Sequence, residues 1–138
     1  MLIWPFGASI ALSIAHKDNT VLEGEDRYRT WLLSVYPSLM ITLTPGYFWY
    51  LSLTPDGPGH VRILYGGGLH PDFSKDDDAD QHFATLKGLL DHVNDEDRGC
   101  TERVWKGMQA RHAVPGALSH LERPNYEFAT WIAGRIPT

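Results

Sequence analysis

The sequence predicts an α+β fold: an antiparallel β-sheet packed on a long helix, followed by a short final helix. Three observations lead there. Apolar residues alternate with period two through three successive runs, with turn residues between them. The period then lengthens to three and four and stays there for about seven turns of helix. Beyond Pro115-Gly116 a short stretch places Phe128, Trp131 and Ile132 on one side.

The elements follow in chain order. The apolar start, MLIWPFGASIALSIAHKDN, has no Lys or Arg before its apolar run and is broken by Pro5 and Gly7. It therefore lacks the basic region of a signal peptide, and it is too short for a membrane span. A core strand, or a start inside a larger domain, is the expected reading. Residues 20–30 are polar and read as a loop or an exposed strand end. Strands are expected at Trp31–Tyr36, Leu39–Thr44, Tyr47–Leu53 and His60–Tyr65, with Pro45-Gly46 and residues 55–59 as tight turns. That order makes an antiparallel meander. Gly66-Gly67-Gly68 lacks the Lys-Ser/Thr of a phosphate loop, so a bulge or strand kink is expected there. Ser74 with Asp77 fits a helix N-cap, and Asp76 to Asp80 suit the positive helix end. The acidic run lacks the Gly and the distal Glu of a calcium loop. The long helix is expected to reach about Arg111, and the final one to span about Asn125–Gly134.

Bulk properties exclude several classes. The net charge of -5 argues against nonspecific nucleic-acid binding. The single cysteine, Cys100, rules out an internal disulfide or an iron–sulfur cluster built from this chain, and fits a reducing cytoplasm. No stretch predicts a membrane helix or a second domain.

One residue conflicts with its position. The long helix carries an apolar stripe at Phe83, Leu86, Leu90, Val93, Cys100, Val104 and Met108. The rhythm of threes and fours puts Asp97 on that stripe, with Glu96 as the competing choice if the register is irregular. Desolvating a carboxylate costs several kcal/mol unless it is paired or bound to a cation. Asp97 is thus expected to have a partner. The pattern alone ranks an Arg, a His or backbone donors ahead of a metal ion. Cys100 reads as an inert core thiol.

The segment VNDEDRGCTERVWKG is similar to the distal helix of Rieske-type ring-hydroxylating oxygenase α subunits. The matching positions are Asp97, Glu102, Val104 and Gly107. The stretch VYPSLMITLTPGYFWYLSLTPDGPG resembles that family's meander, and PGALSHLERPNYEFATWIAGRI resembles its ending. The likeness spans roughly residues 28–136. It implies a helix-grip catalytic domain, a sheet wrapped on a long helix. It also implies mononuclear Fe(II) held by two His and one carboxylate, the last being Asp97. Family proteins carry a 2Fe–2S cluster in a separate Rieske domain. They take electrons from a reductase or ferredoxin, act on a small organic substrate, and can form homotrimers. The departures matter. The family's iron-binding pair is His-x-x-x-x-His, and none of the seven histidines here (16, 60, 70, 82, 92, 112, 120) is five from another. The cluster motifs are absent, and Trp105 stands where many relatives have Gln. Residues 1–138 therefore read as a truncated, partial catalytic domain.

Lesser candidates have ordinary explanations. His60 and His70 flank the fourth strand, and a structural role is the simpler one for each. His92 reads as solvated. Ser34, Ser52 and Ser119 lack the context of a hydrolase nucleophile. Tyr47, Trp49, Tyr65, Leu86 and Leu90 are candidates for a concave apolar pocket between sheet and helix. The functional expectation is the pocket wall and carboxylate ligand of an oxygenase, with the isolated chain inactive. Alternatives are a metal-independent module for hydrophobic ligands and an inactive truncated remnant.

Overall fold

The computed structural model describes residues 12–137. The expected strand at the apolar start falls largely outside them. Four strands form one sheet in sequence order: β1 (Trp31–Val35), β2 (Leu39–Leu43), β3 (Tyr47–Pro55) and β4 (Val61–Leu69). All pairings are antiparallel. The meander and the α+β class are as the sequence predicts. Helix α1 spans Ala79–Met108 and helix α2 spans Arg123–Ala133.

Cross-strand partners share a face, so the register fixes which residues meet α1. Trp49 opposes Gly67, Leu51 opposes Tyr65 and Tyr47 opposes Leu69. Tyr47, Trp49 and Leu69 pack against a small core of Leu12, Phe73, Leu86 and Leu90. Helix α1 runs alongside β4 in the opposite direction. Tyr65 bonds to Asp91, and Trp105 lies against Gly59 in the β3–β4 turn. These two pairs bracket about 20 Å on either element, by helix rise and by strand rise.

The expected glycine bulge is absent. Gly66, Gly67 and Gly68 sit in uninterrupted register with Tyr50, Trp49 and Phe48. Close packing explains the three glycines. A Cβ on Gly67 would lie 2.5 Å from the Phe48 carbonyl oxygen, and one on Gly68 would lie 2.9 Å from the Phe48 ring. Ser74 is no N-cap either. It belongs to a short 3-10 turn, Phe73–Lys75, and its hydroxyl donates to the Pro71 carbonyl. The backbone of Asp76 is extended (ψ 150°) and separates that turn from α1. The helix stops at Met108, short of Arg111, and continues only as turns through Ala113.

The largest departure concerns the second half of α1. Every residue from Asp95 to Met108 except Gly99 is exposed. Cys100 is exposed as well, which overturns its reading as a core thiol. The periodicity was real, but no other described residues cover that half of the stripe. Periodicity shows which face is apolar and is silent on whether anything covers it.

Candidate functional site

Two features share one face of α1. The first is a cavity of about 390 Å³ between β4 and the helix, within the range of small-molecule sites. Its apolar floor is Phe83, Leu86 and Leu90, and the Gly66–Gly67 backbone forms part of the opposite wall. Of the residues suggested by sequence, Tyr65, Leu86 and Leu90 line it, whereas Tyr47 and Trp49 pack against the core.

Its polar rim is a three-residue network. The Tyr65 hydroxyl donates to Asp91 Oδ1 at 2.7 Å, and Lys87 Nζ donates to Asp91 Oδ2 at 2.5 Å. The Lys87 hydrogen bond, then the Tyr65 one, hold the Asp91 carboxyl below its ordinary range. The same bonds to Asp91 raise the Lys87 ammonium and the Tyr65 phenol. Sequence reasoning missed Lys87 and Asp91. Their i,i+4 spacing on a predicted helix is the signal that finds them.

The second feature is Asp97. On a regular helix it lies within about 20° of Leu86, so it belongs to the face that forms the cavity floor. It sits about 9 Å along the axis from Asp91, which brings it level with the Val61–Ile63 end of β4. It is nevertheless exposed, contrary to the buried position and obligatory partner expected from the stripe. Its backbone carbonyl accepts from the Thr101 hydroxyl at 2.9 Å, an ordinary helix contact. Glu96 is exposed too, and an ideal helix turns it about 80° from Leu86, off this face.

The histidines take other places. His60 Nδ1 is 3.2 Å from the Pro58 carbonyl in the exposed β3–β4 turn. His70 accepts from the Asp72 backbone N–H at 3.2 Å and lines a second cavity, of about 470 Å³, with Trp31, Leu43 and Arg29. Neither joins Asp97 in a group of three metal-capable side chains among the described residues.

Among the described residues one group of metal-capable side chains converges: Asp76, Asp78 and His82, with ligand atoms within 4.8 Å of one another. It lies at the start of α1, and His82 is about 22 Å along the axis from Asp97. Buried His16 explains much of its geometry. The Asp18 backbone N–H donates to His16 Nδ1, which leaves the proton on Nε2, 3.2 Å from Asp76 Oδ2. Phe73 stands edge-on between the rings of His16 and His82, with centroids 4.9 and 5.6 Å away. The cluster thus fastens the segment around His16 onto the helix start.

The chain matches the model of a family described as ring hydroxylating alpha subunit (catalytic domain) over residues 14–138. No curated protein and no solved structure matches it. The family implies non-haem iron, and a 2-His-1-carboxylate set requires two imidazoles beside the carboxylate. Among the described residues no three-ligand group includes Asp97, and the group at the helix start has one His and two carboxylates. These residues do not assemble that set, and no oxygen chemistry is derived from them. The match extends over nearly the whole chain, so the chain belongs to the ring-hydroxylating oxygenase α-subunit catalytic-domain family.

Proposed function

We propose that this chain is the distal part of a Rieske-type oxygenase catalytic domain. It supplies one wall of the substrate pocket and, through Asp97, one oxygen donor to a mononuclear iron. The two imidazoles, the 2Fe–2S cluster and the reductase that feeds it lie outside these residues. The intact assembly oxidises a small organic substrate, in a reducing cytoplasm that suits the unpaired Cys100.

The observation that carries this reading is the position of Asp97. It shares a helix face with the cavity floor and is one to two turns from the cavity's polar rim. Being exposed, its carboxylate is open to donors that come from outside these residues. No helix of the described residues is long and apolar enough to cross a membrane.

The test is complementation. The chain is co-expressed with a family polypeptide that carries the His-x-x-x-x-His segment and the cluster domain, and reductase-dependent product formation is measured. Activity is expected from the pair and from neither part alone, and Asp97→Asn is expected to abolish it while the two polypeptides still co-purify. Undiminished turnover by the Asp97→Asn pair overturns the assignment.

A second reading has its own observation. The cavity forms without metal, so the chain also suits a binding module for an apolar ligand. A bulky Leu90→Trp change blocks binding in that case, and Asp97→Asn leaves it unaltered.

A further inference from the structure

The cavity beside α1 has a floor without charge and a rim whose charges cancel. Phe83, Leu86 and Leu90 offer apolar surface on one side, and the glycine backbone of β4 leaves a flat wall on the other. Such an apolar floor suits the ring of a small aromatic molecule. The rim then meets whatever projects from that ring.

Lys87 contributes one ammonium and Asp91 one carboxylate, joined at 2.5 Å. Tyr65 occupies the other carboxylate oxygen. One of the three ammonium hydrogens serves Asp91, and two remain as donors. An uncharged hydroxyl or carbonyl accepts one of them and loses little hydration. A ligand carboxylate reaching the same donors comes close to the Asp91 carboxylate. Attraction to Lys87 and repulsion from Asp91 then largely cancel, while the cost of desolvating a full charge remains.

From this we infer that Tyr65, Lys87 and Asp91 form a charge-selective rim, which admits a small uncharged aromatic molecule bearing one hydrogen-bonding group and disfavours the corresponding anion. The inference rests on the reading that this cavity receives the substrate. It narrows that substrate to neutral rings and gives Asp91 a specificity-determining role: it neutralises Lys87.

The experiment is a titration of the full, metal-free chain at neutral pH, followed by NMR shifts. The probes are phenol and benzoate, one ring with a neutral and an anionic substituent. Phenol is expected to bind about tenfold more tightly than benzoate, a difference of about 1.4 kcal/mol. Asp91→Asn bares the ammonium and is expected to reverse the order. Lys87→Met is expected to weaken phenol several-fold without helping benzoate. All three rim residues are exposed or half-exposed, so circular dichroism of the variants should match that of the parent chain. Benzoate binding as tightly as phenol, an unchanged ratio in Asp91→Asn, or no saturable binding of either ring overturns the inference. The titration uses neither iron nor Asp97. Failure here leaves the ligand role of Asp97 to its own test, and loss of that role leaves this ratio standing.

Discussion

At the scale of single residues, exposure separates two roles that the sequence cannot separate. A buried carboxylate would be tied to the stability of the chain, and an exposed one is free to serve a partner. Asp97→Asn is accordingly expected to change the unfolding free energy of the isolated chain by less than about 0.5 kcal/mol, as measured in urea. A loss of several kcal/mol would mean that Asp97 has a structural partner. The rim makes a separate prediction about pH. Tyr65 is raised above the ordinary phenol value of 10.0 chiefly by its bond to Asp91. A raised group contributes stability that is complete below its unfolded pKa and is lost as pH climbs through the folded one. Asp91, held below 3.8, contributes above the ordinary carboxylate value and loses that contribution as pH falls through its folded pKa. The network is therefore intact across the whole neutral range. In an ultraviolet titration, the tyrosine that ionises last should disappear in Tyr65→Phe and move back toward 10.0 in Asp91→Asn. No difference between these variants and the parent would contradict the network.

Among the elements, β4 and α1 carry most of the account. Gly67→Ala in β4 brings a Cβ against the Phe48 carbonyl, where backbone must yield. Overpacking of that kind costs about 1–3 kcal/mol, and a chemical denaturation curve reads it directly. Leu86→Ala in α1 removes the most deeply buried side chain of the core, at a cost of about 2–5 kcal/mol. The strands were legible in the sequence because alternation and turn residues are local signals: Pro45-Gly46 and residues 55–59 end strands that pair as expected. The glycine run was misread because the rings of Phe48 and Tyr50, which lie over it, belong to another strand. The helix start was misread because His16, far away in sequence, holds Asp76. Helix geometry puts Asp97 within about 20° of Leu86, as the stripe suggested, but its exposure was not legible. Burial depends on what lies across from a face, and no pattern within the helix carries that information.

At the scale of the whole molecule, the described residues leave an extensive apolar surface uncovered. All five residues of β1 are exposed, Leu32 to 78%, and among the described residues no strand pairs with its outer edge. Val104, Trp105 and Met108 add to it along α1. Such edges and patches invite association. Sedimentation velocity of the isolated chain should show mass rising with concentration, and Leu32→Lys should reduce the effect without altering the fold. A strictly monomeric parent chain would argue that this surface needs no cover. The exposed half of α1 that bears Asp97 is where the remaining iron donors are expected to arrive. Anaerobic Fe(II) titration tests that most directly, performed on the chain alone and on the chain complexed with a family polypeptide bearing the His-x-x-x-x-His pair. No stoichiometric iron is expected on the chain alone, and one iron per complex, lost in Asp97→Asn. Tight one-to-one binding by the chain alone, or a complex that keeps its iron without the Asp97 carboxylate, would contradict that expectation.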